Sequence, residues 1–147
     1  MNARSALIAL ALLGAACSRP ETPQEAYRHG LQALADGAPR TARIEFLNAI
    51  KADPANKAVR VAQARTYLML GDGAAAEDEL RRANALGVPE SETAHLMAHA
   101  LLLQGEAERA VAAAAKAGPA HIAYAQRMIG RAYQALGRME DAAQAFD

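Results

Sequence analysis

The chain has no tryptophan, two phenylalanines, four tyrosines and one cysteine among 147 residues. A single cysteine excludes an internal disulfide and any CxxC redox or zinc framework. With aromatics scarce and 52% of residues hydrophobic, alanine supplies much of the apolar count, which suits closely packed helices better than a sheet sandwich. Net charge is missing too. Sixteen basic and 16 acidic residues cancel, so no long-range field draws the protein to nucleic acid. The only serines are Ser5, Ser18 and Ser91. None has a suitable His and acid arrangement, and there is no Gly-rich phosphate loop, so neither catalysis nor a cofactor is expected.

What is present is a repeat. Gly37, Gly71, Gly105 and Gly137 recur at steps of 34, 34 and 32 residues, and Ala42, Ala76, Ala110 and Ala142 each follow five residues later. A fixed period in this range marks a helical solenoid, whose units each have an apolar face that only neighbours can cover. The clearest copy is Tyr67 to Ala83, YLMLGDGAAAEDELRRA: a helix end, a Gly turn and a second helix. Glycine suits that turn because it takes up the left-handed conformation without steric cost.

The pattern predicts an all-α solenoid of about four helix-turn-helix repeats over 24–147, at about 24–56, 57–90, 91–119 and 120–147, the last one incomplete. The first pair of helices should run from about Gln24 to Ala35 and Pro39 to Ala52, with Asp53-Pro54 ending it. The second should run from Lys57 to Leu70 and Gly73 to Leu86, and the third from Ser91 to Leu103 and Glu106 to Ala117. The seventh helix is expected to start at Pro119 or Ala120 and run to about Leu136, and the eighth to start near Met139. Asp72 and Ser91 are the expected N-caps. Glu77, Asp78 and Glu79 ahead of Arg81 and Arg82 read as a solvated outer face with helix-favouring charge order. Phe146 calls for burial, and a chain ending just after it looks like the N-terminal part of a longer repeat protein.

Residues 1–16 combine a positive start, Asn2-Ala3-Arg4, with twelve uncharged residues from Ser5 to Ala16. That is too short for a bilayer, which takes roughly 20, and it reads as a signal peptide. Residues 17–23 follow as Cys17 and a short tether, SRPETP, with two prolines and no apolar side chain. The run Leu13-Gly14-Ala15-Ala16-Cys17 resembles a bacterial lipobox, with Gly14 where Leu is usual and Leu13 one place early. The resemblance implies cleavage before Cys17, lipidation of its thiol and anchoring to a membrane by acyl chains, two or more of which hold stably. Ser18 in place of Asp implies sorting to the outer membrane, facing the periplasm. An ordinary secretory signal cut at Ala16, leaving Cys17 a free thiol, is the alternative.

In a 34-residue frame starting at Pro23, the repeats resemble the tetratricopeptide (TPR) family. Gly30, Ala42, Phe46, Ala49 and Pro54 carry the match in the first unit, and Tyr67, Ala76, Leu80 and Ala83 in the second. Ala98, Leu101, Ala110 and Ala117 carry it in the third, and Gly130, Tyr133, Ala142 and Phe146 in the fourth. Small residues such as Gly30, Ala64, Ala98 and Gly130 should let paired helices approach, while Phe46, Tyr67, Tyr133 and Phe146 fill wedges between pairs. The family's tryptophan is absent: Ala26, Arg60, Ala94 and Gln126 stand in its place.

The lipobox, the tether and the phrases FLNAIKADPAN, YLMLGDGAAAEDELRRANALGVP and HALLLQGE together look like the TPR-repeat lipoproteins of PEP-CTERM protein sorting and exopolysaccharide export. This implies a lipid-anchored scaffold in an envelope system. A TPR pilot lipoprotein for a pilus or secretion-system secretin is the other reading.

The TPR resemblance further implies that the first helix of each pair lines a concave groove for a protein or peptide partner. Carried over by unit, the groove residues are Tyr27, Leu31 and Leu34, then Val61, Arg65 and Leu68. His95, His99 and Leu102 follow, then Tyr124, Arg127, Arg131 and Gln134. The arginines suit carboxylates on a peptide or an acidic polysaccharide. The Lys and Asn residues of carboxylate-clamp TPRs are missing. His95 and His99 stand four apart, a spacing that can hold zinc, but Leu96 occupies the place of a catalytic Glu and no third ligand is evident, so no metal is expected. His29 and His121 read as helix-face residues without partners.

Overall fold

The computed structural model describes residues 21–147; the signal segment, Cys17 and the first half of the tether lie outside the described residues. Eight α-helices follow one another: α1 (Pro23–Ala35), α2 (Pro39–Ala52), α3 (Lys57–Met69), α4 (Gly73–Ala85), α5 (Glu90–Leu103), α6 (Ala107–Ala114), α7 (Ile122–Ala135) and α8 (Met139–Phe146), with a 3₁₀ turn at Pro119–His121 before α7. No strand occurs among the described residues. None of these helices is long and apolar enough to cross a membrane.

Each helix packs on its sequence neighbours, and α1, α3, α5 and α7 also touch one another in order. Those four therefore form the inner layer of a TPR-type α-solenoid, with α2, α4, α6 and α8 outside it. Local chemistry sets the helix ends. Thr22 caps α1 in a reciprocal box with Glu25: its Oγ1 accepts from the Glu25 N–H at 3.2 Å, while its own N–H donates to Glu25 Oε2 at 2.8 Å. Asp72 caps α4, as expected, accepting from the Ala75 N–H at 3.0 Å.

The repeated glycines make the turns. Gly37, Gly71, Gly105 and Gly137 have φ between 70° and 79°. The residue after each donates back across the turn, as in Ala38 N–H to Ala33 O at 2.8 Å and Asp72 N–H to Tyr67 O at 2.9 Å, which satisfies carbonyls the helix end leaves open.

The small residues face the helix partners. Ala42, Ala49, Ala64, Ala76, Ala83, Ala98 and Ala110 are fully buried, as are Phe46 and Leu80, and Gly30 and Gly130 are buried too. Ala142 is buried, whereas Tyr67 and Tyr133 are half-buried and Pro54 is exposed. Gly73 serves a contact that the repeat pattern does not reveal: a Cβ there would lie 2.4 Å from the Ala100 carbonyl oxygen.

Several expectations are corrected. Ser91 lies inside α5 and is not its cap. Its carbonyl instead accepts the Gly118 N–H at 2.8 Å. That bond pins the short third repeat, so α6 stops at Ala114 rather than Ala117. The chain then makes a 3₁₀ turn, with His121 N–H donating to Gly118 O at 2.9 Å, and α7 starts only at Ile122.

The charged run on α4 is a solvated face only in part, with Asp78, Arg81 and Arg82 exposed. Glu77 and Glu79 are buried. Glu79 accepts from Arg60 of α3 and from Arg82, both at 2.8 Å. Glu77 accepts from Arg81 at 2.5 Å, Gln104 at 2.8 Å and Arg109 at 3.2 Å, so it ties α4 to the ends of α5 and α6. Burial raises the Glu77 pKa, but the hydrogen bonds from Gln104 and Arg81 and the charges of Arg81 and Arg109 outweigh it and hold it below the usual carboxylate value.

Phe146 is 47% exposed. Its ring covers Gly130 much as Phe46 covers Gly30. Phe46, however, also packs in a cluster with Val59 and Ala62 of the following helix, and among the described residues nothing takes that place beside Phe146.

Candidate binding groove

The inner helices present two adjoining clefts. The first, about 410 Å³, lies between α1 and α3 and is closed by the Val88-Pro89 segment. It brings together Tyr27, Leu31, Leu34, Val61 and Arg65. Leu31 is 42% exposed, which leaves an apolar side chain facing solvent at this point. Lys57 and Glu92 put one charge of each sign on its rim.

The second cleft, about 350 Å³, lies over α3, α5 and α7 and is lined by Arg65, His95, His99 and Tyr124, with Leu68 and Leu96 as its apolar floor and Met69 exposed at its edge. Arg65 lines both clefts, so they form one continuous groove. No carboxylate lines the second one.

Polar contacts in this cleft cross between helices. A hydrogen bond of 2.7 Å links His99 Nδ1 and the Tyr124 hydroxyl, joining α5 to α7. The Arg127 guanidinium carbon sits 5.1 Å from the centroid of the Tyr124 ring, within cation–π range. Arg131 follows Arg127 by one helical turn on the same face. Arg65, Arg127 and Arg131 are exposed, and none has a carboxylate partner among the described residues.

Titration follows from this arrangement. Burial, then the charges of Arg131 and Arg127, lower the His99 pKa. Burial raises that of Tyr124, against the opposing pull of Arg127, Arg131 and Arg65. Both groups are therefore neutral at neutral pH.

His95 is a wall of the groove more than a presented ligand. It is buried, its ring stacks on His121 at 4.0 Å and 19°, and the Tyr124 ring meets it edge-on at 5.1 Å. Burial, followed by His121 and Arg65, lowers its pKa to about 4, and its Nδ1 has no hydrogen-bond partner. His121 thus has a partner, contrary to expectation. So does His29, whose Nδ1 lies 2.5 Å from Glu21 Oε1. Parallel stacked imidazoles do not aim their nitrogens at a shared point, so His95 and His121 are poorly placed to share a metal ion.

Not all expected groove residues meet here. Leu68 is buried and forms floor. Leu102 packs against the core of the third and fourth repeats, and Gln134, Arg127 and Arg131 are exposed and line neither cleft, Arg127 lining instead a separate hollow with Gln144, Phe146 and Asp147. Conversely, Lys57, Met69, Val88, Glu92, Leu96 and His121 line or wall the groove without having been expected. Lys57, Leu96 and Met69 fall on inner helices and could have been found by a wider helical face. His121 could not, because the 3₁₀ turn that places it depends on the Gly118–Ser91 bond.

No family model and no curated protein matches the chain. Solved structures do. A crystal structure of MamA protein superposes with a TM-score of 0.72 at 23% identity, covering 84% of this chain and 69% of that one. A second MamA crystal structure gives 0.71 at 23%, covering 84% and 74%. A structure named MamA MSR-1 C2 gives 0.71 at 20%, covering 84% and 72%. Likeness at this level shows the TPR-type solenoid fold and no more.

Proposed function

We propose that this chain is a non-catalytic scaffold that is exported, held at the outer membrane by lipid on Cys17, and binds a protein partner in its groove. The setting we propose is an exopolysaccharide-export or PEP-CTERM protein-sorting system of the cell envelope. The observation that carries the binding role is the groove itself: two clefts continuous through Arg65, with the apolar Leu31 exposed in the first and no carboxylate in the second, where Arg127 lies beside the Tyr124 ring. An extended or helical peptide laid along inner helices of a solenoid buries such surface. The proposed anchor and setting rest on the lipobox and on the phrases quoted above.

The test places a photo-crosslinking residue at Leu31 in the groove and, separately, at Ile44 on α2, in the full chain in cells. Adducts with an envelope polypeptide are expected from Leu31 and not from Ile44. Protein adducts from both sites alike, or from neither, would overturn the groove as the binding surface. The anchor is tested by labelling with a palmitate analogue, which a Cys17→Ala variant should abolish.

A further inference from the structure

Cations without ion pairs also stand on α1 and α2, as Arg28, Arg40, Arg43 and Lys51, but at the second cleft three of them gather about a cleft that no carboxylate lines. On α4 and α6, the guanidinium groups of Arg81, Arg82 and Arg109 all reach carboxylates. On the groove side, Arg65, Arg127 and Arg131 reach none, although they surround one hydrogen-bonded pair, His99 and Tyr124. Arg127 and Arg131 sit one turn apart, a like-charge spacing that disfavours a helix, and no acid on α7 relieves it. The cleft beside them has an apolar floor of Leu68 and Leu96, with Met69 exposed at its edge.

We infer that this cleft is a carboxylate-binding subsite for an acidic, amphipathic peptide segment of the partner. Acidic side chains would meet Arg65, Arg127 and Arg131, the apolar residues beside them would cover Leu68 and Leu96, and the segment would continue into the apolar cleft at Leu31 and Val61. The inference rests on the groove-scaffold reading. Planar guanidinium groups suit carboxylates because they donate two parallel hydrogen bonds. The neutral imidazole of His99 and the Tyr124 hydroxyl add polar groups without adding charge. A peptide is favoured over an acidic sugar chain because the cleft floor and the adjoining cleft are apolar, a surface that a uniformly polar sugar acid leaves uncovered.

The probes are a dye-labelled synthetic peptide of alternating Leu and Glu, its Leu and Gln counterpart, and oligogalacturonate. The protein is the full chain after Cys17, compared with an Arg127→Gln, Arg131→Gln variant and with an Arg40→Gln, Arg43→Gln control on α2, each checked for native circular dichroism. The Leu/Glu peptide should bind and weaken as salt rises from about 0.05 M to about 0.5 M. It should lose about tenfold or more in affinity in the α7 variant, the loss of one charged hydrogen bond or more, and be unchanged in the α2 control. Equal binding of the Leu/Gln peptide, equal loss in both variants, or stronger binding of oligogalacturonate would each overturn the peptide subsite. Crosslinking at Leu31 separates the two readings. Adducts that persist in the α7 variant sink only the subsite, and a lack of any protein adduct sinks the scaffold reading even where the synthetic peptide binds.

Discussion

A Cβ added to Gly30 would lie 2.4 Å from Cε1 of Phe46, closer than packed atoms approach, and Phe46 is fully buried. The same relationship recurs between Gly130 and Phe146, where the nearest ring atom would lie at 2.5 Å, but there the ring is 47% exposed.

These two pairs predict opposite outcomes for one substitution. Gly30→Ala should destabilise by about 1 to 2 kcal/mol, since overpacking costs more than the gain in helix propensity. Gly130→Ala should be neutral or stabilising by up to about 1 kcal/mol, because the Phe146 ring can turn away. Thermal unfolding of both variants checks this, and equal losses would show that Phe146 is as fixed as Phe46.

Gln63 is fully buried, and neither atom of its amide has a hydrogen-bond partner. Repeat spacing places Met97 and Ile129 at the equivalent positions of the next two units. Gln63→Met should therefore raise stability by about 1 to 2 kcal/mol, by removing an unsatisfied polar group. Denaturant unfolding that shows a loss would mean the amide is satisfied by a buried water.

Arg60 stands where the TPR family has tryptophan, and its guanidinium joins three pieces of chain. It donates to Glu79 at 2.8 Å and twice to the Pro54 carbonyl, at 3.0 and 2.7 Å. With side-chain exposures of 11% and 9% for the pair, Arg60→Ala should cost about 3 kcal/mol. Lys116→Ala, which removes an exposed pair with Glu90, should cost less than about 1 kcal/mol. Similar values for the two would show that the α3–α4 pair contributes no more than a surface one.

His95 predicts a pH dependence. Its pKa falls from 6.5 in the unfolded chain to about 4 in the folded one, so between these values the unfolded state holds the extra proton. Stability from this group is full above about pH 6.5 and declines towards pH 4, by on the order of 3 kcal/mol. The Tm of the native protein should fall between about pH 7 and pH 5 more than that of His95→Leu. That range lies above 4.5, the ordinary value from which the Glu77 carboxylate is held down, so loss of Glu77 contacts on acidification comes later. Parallel curves would show that His95 protonates freely.

How far the sequence carries depends on the range of the interaction. Spacing of glycine and alanine is a local property, and it placed the turns and most helix ends within a residue or two. Side-chain type at a known register also located Tyr27, Leu31, Val61 and Arg65 on one groove. The charges on α4 were misjudged because their own helix offers near partners, Arg81 and Arg82, while the contacts that bury them come from Arg60, Gln104 and Arg109, 19 to 32 residues away. His121 and Ser91 escaped for the same reason.

The sequence by itself thus determined a four-unit helical solenoid, its turn glycines and its alanine-lined interfaces, since each follows from the conformational reach of the residue and from a period that repeats. Only the tertiary structure decided which charges are buried and which are left open. Pairing depends on what the neighbouring helix brings within about 3 Å. Glu77 and Glu79 thus meet their cations where α4 contacts α3, α5 and α6, while Arg65, Arg127 and Arg131 stand without ion pairs on the inner helices among the described residues.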